Sequence, residues 1–173
     1  AKYPDFPFEQ QLESDLKLSA QKFYPFTDTL IDKTLFYGYA DENGSWLVKP
    51  KSRYREATFF CQDLAVVGAE GLYGVINKKE QFVIPIQFSE ISILNNGLIL
   101  AEANGLYGLF NRDGSVHTPM LWDDILEVDS VFYLLYKGDA AEIHSIHSDG
   151  DFGVSVTDMV PLNKGYYKVL HDD

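Results

Sequence analysis

Short hydrophobic runs, separated by polar turn signals, recur along most of the chain. The best-formed unit is Leu72–Gly105, and its apolar, β-rich runs are, in chain order, Tyr73–Asn77, Phe82–Ile86 and Leu98–Ala103. The polar stretch Lys78–Gln81 separates the first two runs. Runs this short, bounded by Gly, Pro and Asn, are typical of β-strands. The pattern therefore predicts at least three strands in this unit.

The same unit is repeated on both sides. A near-copy starts at Leu106 and a looser copy starts at Phe36. Two signatures recur at intervals of 34 to 36 residues, an aromatic-Gly pair and a proline: Tyr37-Gly38, Tyr73-Gly74 and Tyr107-Gly108, with Pro50, Pro85 and Pro119. A fixed period of this length indicates a tandem repeat architecture, in which neighbouring units complete each other's core.

The segment before the repeats has a different pattern. Apolar residues recur every four positions, with charged residues between them, at Phe8, Leu12, Leu16 and Ala20. This spacing predicts a helix over Glu9–Phe23, which Pro25 would end. Because terminal repeats commonly need a cover, we expect this helix to cap one end of the array.

The recurring residues are those that a stacked β unit needs. A strand glycine such as Gly74 indicates a bulge or a close backbone approach, and the neighbouring aromatic ring could cover it. Large rings also follow each repeated proline by three or four residues, at Tyr54, Phe88 and Trp122. Rings at matched positions predict a stacked core rather than a ligand site.

The order of these features resembles the WG-repeat family of bacterial proteins. The copies read YGYADENG with VKP, YGVINKKE with VIPIQFSEI, and YGLFNRDG with HTPMLWDDI. The resemblance covers about Phe36–Asp139, with Tyr where the family has Trp, and a decayed copy follows. It implies β-hairpin repeats in a tandem array. It implies no shared chemistry, so no catalytic residue carries over from the family.

We therefore expect an all-β protein made of tandem antiparallel β-hairpin or meander repeats of about 34 to 36 residues, with one N-terminal capping helix. A chain of 173 residues suits a single domain. It would comprise a lead-in at 1–35, three WG-like repeats at 36–139 and a degenerate C-terminal repeat at 140–173. The pattern leaves open whether the repeats close into a barrel or ring, or form an open twisted sheet.

Charge narrows the possible partners. The chain has 26 acidic and 14 basic residues and a formal net charge of −12, so we expect no nucleic-acid partner. No apolar run reaches the roughly 18 residues of a membrane helix, so we expect no membrane insertion. Residues 123–173 hold 11 acids and only 3 bases. An acidic surface of this kind favours a basic protein partner.

The chain carries no motif of a known catalytic or metal site. A G-x-S-x-G elbow, an H-E-x-x-H helix and a phosphate-binding loop are all absent. The single Cys61 excludes an internal disulfide and a cysteine-based zinc site, and its apolar neighbours predict a buried thiol. His144 and His147 would point to opposite faces of a strand, and we interpret them as exposed residues near a turn. We expect no enzyme, no metal and no cofactor.

Two charged groups are the candidate binding residues. The acidic group follows Trp122 and consists of Asp123, Asp124, Glu127 and Asp129; the basic group, in VKPKSRYR, consists of Lys49, Lys51, Arg53 and Arg55. The basic residues alternate with other residues, so an extended segment would place all four on one face. Such a face either protects an edge strand from pairing or binds an anion or carboxylate.

The sequence favours a non-enzymatic β-repeat protein-binding module. A bacterial inhibitor or immunity-type protein that engages a basic partner is the narrower hypothesis. The alternatives are a glycan-acting hydrolase that uses Asp123, Asp124 or Glu127, and a structural module of the cell envelope. The start at Ala1 fits a trimmed chain or an exported protein after signal removal, and we favour a periplasmic location over a cytoplasmic one. Oligomeric state is not predicted.

Overall fold

The fold is all-β over the part of the chain that the structure, a computed structural model, describes. The described residues are 14, 17–18, 20–31, 33–50, 53–147, 158–161 and 167–170. Within them, no helix is long and apolar enough to cross a membrane. The predicted all-β class and the tandem antiparallel arrangement are confirmed.

The strands follow one another with short connections. In chain order they are β1 (Phe23–Ile31), β2 (Thr34–Asp41), β3 (Trp46–Val48), β4 (Glu56–Ala57), β5 (Leu64–Ala69), β6 (Leu72–Asn77), β7 (Phe82–Phe88), β8 (Glu90–Ile93), β9 (Ile99–Ala103), β10 (Leu106–Phe110), β11 (Val116–Trp122), β12 (Asp124–Glu127), β13 (Phe132–Lys137), β14 (Ala140–Ser145), β15 (Asp158–Pro161) and β16 (Tyr167–Leu170). The predicted strands of the central repeat correspond to β6, β7 and β9.

Most of the predicted helix Glu9–Phe23 lies outside the described residues. The described positions within it that are helical are Ser14, Lys17, Leu18 and Ala20. Phe23 instead begins β1 and pairs with Asp41 of β2, so the predicted end of the helix is wrong. Strand pairing overrides the helical spacing at this point. The capping role of the helix stays a prediction.

The strands form meanders in which neighbours in sequence are neighbours in the sheet. Sheet A is β1-β2-β3, sheet B is β4-β5-β6-β7, sheet C is β8-β9-β10-β11, sheet D is β12-β13-β14 and sheet E is β15-β16. Pro85 and Pro119 lie in β7 and β11, which are edge strands of sheets B and C. Proline has no N–H to donate, so an edge strand is where a sheet tolerates it.

Sheets B and C are offset from the sequence repeats by half a repeat. Strands β4 and β5 come from the first repeat, whereas β6 and β7 come from the second. Val67 of β5 pairs with Gly74 of β6, and Ala101 of β9 pairs with Gly108 of β10 in the same way. Each of these sheets is therefore completed by the repeat that follows.

The chain divides by its contacts into two compact units, Ala1–Ile86 and Gln87–Asp173. The first contains β1 to β6 and most of β7, and the second contains the strands from β8 onward. The expected single domain, with its internal boundaries at 35 and 139, stays a prediction.

The repeated glycine lets two backbones approach closely. A Cβ placed on Gly74 would lie 2.6 Å from the carbonyl oxygen of Ile84 and 2.7 Å from the nitrogen of Ile86. On Gly38 it would lie 2.2 Å from the carbonyl oxygen of Val48. No side chain fits at such distances, so the predicted close approach is confirmed. The ring of Tyr73, however, lies against Gly68 on β5 rather than over Gly74.

The turn between the first two strands of each repeat is held by a side-chain oxygen. Asn77 Oδ1 accepts hydrogen bonds from the N–H groups of Lys79 (2.9 Å) and Gln81 (3.0 Å). The corresponding turns of the other copies begin at Asp41 and Asn111. Each turn ends on a residue with positive φ, namely Gly44, Glu80 and Gly114. This turn geometry requires a short polar residue first and a residue with positive φ last, which glycine adopts most easily.

Two buried tyrosines lie in the core of the first unit. Tyr39 and Tyr54 are 0% and 1% exposed and pack with Val67 and Ile76. The Tyr39 hydroxyl donates to the carbonyl oxygen of Thr58 at 2.8 Å. The Tyr54 hydroxyl is buried and has no hydrogen-bond partner. Burial raises the pKa of both hydroxyl groups.

Removing these two hydroxyl groups will have opposite effects. Tyr54→Phe relieves an unsatisfied buried group and will leave the free energy of unfolding unchanged or raise it by up to about 1 kcal/mol. Tyr39→Phe removes the donor to the Thr58 carbonyl and will lower the free energy of unfolding by about 1 kcal/mol. Urea denaturation of both variants measures the difference. A larger loss for Tyr54→Phe than for Tyr39→Phe would show that the Tyr54 hydroxyl has a partner.

The core of the second unit joins sheets C and D. Its buried members are Leu98, Leu109, Ile125, Tyr133 and Leu135, and Trp122 packs against them. The predicted stacked rings Tyr54 and Phe88 are buried and Trp122 is half-buried. The rings after the repeated prolines therefore serve the core, as predicted.

Candidate functional site

Asp123 connects two turns of the chain, and its role in binding stays a prediction. It lies between β11 and β12, where its carboxylate accepts the N–H of Gly138 at 2.7 Å and the ammonium of Lys137 at 3.2 Å. The bond from Gly138, followed by the bond from Lys137, lowers the pKa of Asp123. This carboxylate fixes the β13–β14 turn against the end of β11.

Glu127 and Asp129 are also used locally. Glu127 accepts the side-chain amide of Asn95 at 3.1 Å and the N–H of Asn96 at 3.3 Å. Asp129 accepts backbone N–H groups two and three residues ahead, at 2.7 and 2.8 Å. The three carboxylates at 123, 127 and 129 therefore have separate partners in separate turns.

Asp124 belongs to a different group, which the sequence did not predict. Glu90 of β8 pairs directly with Glu102 of β9, and Glu102 pairs in turn with Tyr107 of β10. Burial, and then the charges of Glu90, Asp124 and Glu102, raise the pKa of the Tyr107 hydroxyl. We call Glu90, Glu102 and Asp124, with Tyr107 between them, the acidic row.

The like charges of the acidic row are expected to lower the stability of the fold. Like charges directly opposite each other on neighbouring strands destabilise a sheet. The Glu102 carboxylate is held by the Ser89 hydroxyl and the Gly105 N–H. In the described part of the chain, none of the three carboxylates of the row forms an ion pair with a basic side chain. Among the described residues, the negative charge of the row is therefore not neutralised by an ion pair.

The basic segment does not form the predicted extended face. Strand β3 ends at Val48, Lys49 follows it as an exposed residue, Arg53 is in a turn and Arg55 is in a bend. Lys51 lies outside the described residues. Alternation along a strand therefore does not apply, and the prediction of four cations on one face is wrong for the described residues.

Both arginines of this segment contact neighbouring side chains. Arg53 forms an ion pair with Glu80 at 3.2 Å, and its guanidinium lies 4.9 Å from the centre of the Phe82 ring. Arg55 lies 6.0 Å from the centre of the Phe36 ring. Whether Lys49, Arg53 and Arg55 bind a ligand stays a prediction.

His144 and Cys61 differ from expectation, whereas His147 does not. His144 is half-buried on β14, where it stacks on Tyr133 with ring centres 5.8 Å apart and lies 3.1 Å from Glu142. His147 is exposed, as predicted. Cys61 is exposed at a turn, so the predicted buried thiol is wrong. Among the described residues, no group of three His, Cys, Asp or Glu side chains could hold a metal ion.

Sheet A exposes an aromatic cluster that the sequence pattern did not predict. Tyr24 and Phe26 of β1 are 41% and 53% exposed, and Phe59 is 65% exposed. Tyr24 packs edge-on against Phe59, and Phe26 packs against Trp46. Tyr24 and Phe26 follow directly after the predicted helix, in a run (FYPF) without the polar-apolar alternation that would indicate a strand.

Comparison with known proteins agrees with the repeat pattern. The family model described as WG containing repeat matches residues 37–72 and 73–107, so its copies start at Tyr37 and Tyr73. No curated protein matches the chain. A solved structure, the crystal structure of the C-terminal WD40 domain of Sif2, matches with 15% identity and a TM-score of 0.39, over 76% of this chain and 50% of that one. The chain thus spans half the length of that structure.

The third copy, which starts at Leu106, is not covered by these family matches and stays a prediction, although β10 to β13 follow the order of β6 to β9. The first two copies are confirmed in sequence and in structure. Residues 37–107 are two tandem repeats of the WG family.

Proposed function

We propose that this protein is a non-enzymatic protein-binding module whose acidic row takes a basic segment of a partner protein. The observation that carries the proposal is the direct pairing of Glu90 with Glu102; like Asp124, neither forms an ion pair with a basic side chain of the described residues. A chain that keeps like charges in register loses stability. Functional sites are where proteins commonly keep such costs.

The residues beside the row suit an interface. Tyr107 pairs across the sheet with Trp122, and the indole N–H of Trp122 is buried without a hydrogen-bond partner. Tyrosine and tryptophan are enriched at protein interfaces, where their rings pack and their polar atoms find partners. The row therefore combines charge for attraction with rings for contact.

The charge of the whole unit supports a basic partner. Residues 87–173 carry 14 acids and 4 bases, whereas residues 1–86 carry 12 acids and 10 bases. A net charge of −10 on one unit against −2 on the other attracts cationic partners to the unit that holds the row. Such attraction raises the association rate and makes it sensitive to salt.

The narrower role that we propose is that of an inhibitor of the immunity type, which neutralises a basic enzyme or toxin. Rapid, charge-driven association is useful to such a protein, because it must bind before its target acts. The hydrolase alternative has less support. It needs two carboxylates on either side of one bond, whereas those of Asp123 and Glu127 are engaged in separate turns.

Partner capture from a native lysate at low and high salt tests the proposal. The double variant Glu90→Gln/Asp124→Asn neutralises two carboxylates of the row, and the amide oxygen that it introduces can still accept the N–H of Ile125, as the Asp124 carboxylate does. The control Glu42→Gln/Glu70→Gln neutralises two exposed carboxylates of the other unit. We expect capture of a basic protein by the wild type and the control, weakened by salt and by the row variant.

Capture that is insensitive to salt, or equal for the row variant and its control, would contradict the proposed function. A captured protein with an acidic rather than basic surface would contradict it as well.

A further inference from the structure

Two clefts lie at corresponding places in sheets B and C. The cleft in the first unit has a volume of about 330 Å³, and its lining includes Gln62, Asp63 and Lys78. The cleft in the second unit has a volume of about 380 Å³, and its lining residues are Asn96, Gly97, Leu98, Asn111, Arg112, Asp113, His117 and Ile146. Each cleft lies where the turn before the second strand of the sheet meets the turn after the third.

The repeat makes these positions equivalent. Lys78 and Arg112 are 34 residues apart, and each follows the asparagine that begins the same turn. Leu64 and Leu98, also 34 residues apart, each follow the other turn of the cleft. That turn is one residue longer in sheet C, where it carries Asn96. Both clefts therefore present a basic side chain at the same place.

In the first cleft the protein itself supplies an acceptor for the basic side chain. Lys78 is only 8% exposed, and its ammonium donates to the main-chain carbonyl oxygen of Gln21 at 2.7 Å. Asp63 on the opposite turn pairs with the same ammonium at 2.8 Å. Residues 20–24 line this cleft. The basic position of the repeat thus binds the peptide carbonyl of a chain segment that forms part of the cleft wall.

The second cleft has a donor without an acceptor. Asn96 Oδ1 accepts the N–H of Leu98 at 2.9 Å, which fixes the orientation of the side-chain amide. Its Nδ2 is buried and has no hydrogen-bond partner among the residues that the structure describes. Leaving a buried donor unsatisfied is unfavourable, so an acceptor that reaches Nδ2 would be stabilised there. Arg112 lines the same cleft and supplies further N–H groups.

We propose that the second cleft binds a peptide segment of the partner protein through a main-chain carbonyl oxygen, which accepts hydrogen bonds from Asn96 Nδ2 and Arg112. This assignment rests on the proposed function and identifies a second contact for the same partner. A neutral carbonyl suits the cleft better than a carboxylate, because Asp113 lines it and the unit carries a net charge of −10. Leu98 and Ile146 offer apolar contact to the neighbouring side chain.

The chain supplies its own probe. A synthetic peptide of residues 17–24, KLSAQKFY, acetylated and amidated, contains the segment that lines the first cleft and carries two lysines. We expect saturable ¹H–¹⁵N NMR shifts at Asn96, Gly97 and Arg112 when it is titrated into the full chain. A scrambled peptide of the same composition should give no saturable shifts at these residues.

Three variants test whether the N–H donors of the second cleft bind the peptide. Asn96→Asp keeps the oxygen that accepts from Leu98 but removes the unsatisfied N–H, and it should weaken peptide binding about tenfold. Arg112→Lys, which places in sheet C the residue found in sheet B, should change affinity by less than about threefold. Arg112→Ala should weaken binding about tenfold, and it serves as the test should Asn96→Asp fail to fold.

The absence of saturable shifts at Asn96, Gly97 and Arg112 would overturn the assignment, as would equal affinity for wild type and Asn96→Asp. Partner capture distinguishes this failure from that of the proposed function. If the wild type captures a basic protein and Asn96→Asp captures it equally well, the acidic row stands and the cleft assignment fails.

Discussion

Replacing Gly74 with alanine will lower the free energy of unfolding by about 3 kcal/mol. The added methyl group would lie 2.6 to 2.7 Å from backbone atoms of Ile84, Pro85 and Ile86, which cannot rotate away as a side chain could. The strands β6 and β7 must therefore separate, and sheet B loses its edge. Urea denaturation followed by circular dichroism measures the loss.

Gly71→Ala is the matched control. Gly71 has φ of +79° and no atom within 4 Å of an added Cβ, so alanine there meets backbone strain but no neighbour. The expected cost is about 1 kcal/mol. Equal losses for Gly71→Ala and Gly74→Ala would mean that the close approach of β6 to β7 is not what requires the repeated glycine.

Truncating the chain after Phe88 or after Leu72 tests whether the sheet or the sequence repeat is the unit that folds. A chain of residues 1–88 retains sheets A and B whole, and we expect it to unfold cooperatively. A chain of residues 1–72 ends with the first family match but lacks β6 and β7, so β5 loses the neighbour that completes its sheet. The truncation at Leu72 should lower the free energy of unfolding by more than the roughly 5 kcal/mol by which small domains are stable. We therefore expect this shorter chain to be unfolded.

Urea denaturation of both truncated chains measures this difference. We expect a sigmoidal transition for residues 1–88 and no folded baseline for residues 1–72. A cooperative transition of the shorter chain would contradict the offset, because it would show that one sequence repeat folds without strands from the next.

Elements whose conformation is set by a few adjacent residues could be predicted from the sequence. Asn104-Gly105, a common turn pair, forms a turn with φ of 57° and 77°. Pro85, which has no N–H to donate, lies on an edge strand. Strand β8 was not predicted, because the alternation in its four residues, EISI, is too short to distinguish a strand from a loop. It is set by pairing with β9, and the half-repeat offset follows from such pairing rather than from the period.

The same distinction explains the candidate site. Asp124 was singled out because it follows Trp122, but Glu90 and Glu102 join it only through strand register. Asp123 looked identical in sequence, yet the N–H of Gly138, fifteen residues away, engages it. The extended face predicted for the basic segment does not form, because strand β3 ends at Val48, before the alternation of basic residues begins.

Glu90→Lys tests the central claim, that the acidic row is kept for binding at a cost in stability. The variant places opposite charges in register with Glu102 and should raise the free energy of unfolding by about 0.5 kcal/mol. It should also abolish capture of the basic partner, whereas Glu42→Lys, with the same change in net charge, should retain capture. Measuring denaturation and capture on these two variants together is the most direct test. A Glu90→Lys protein that is less stable than the wild type, or that still captures the partner, would contradict the account.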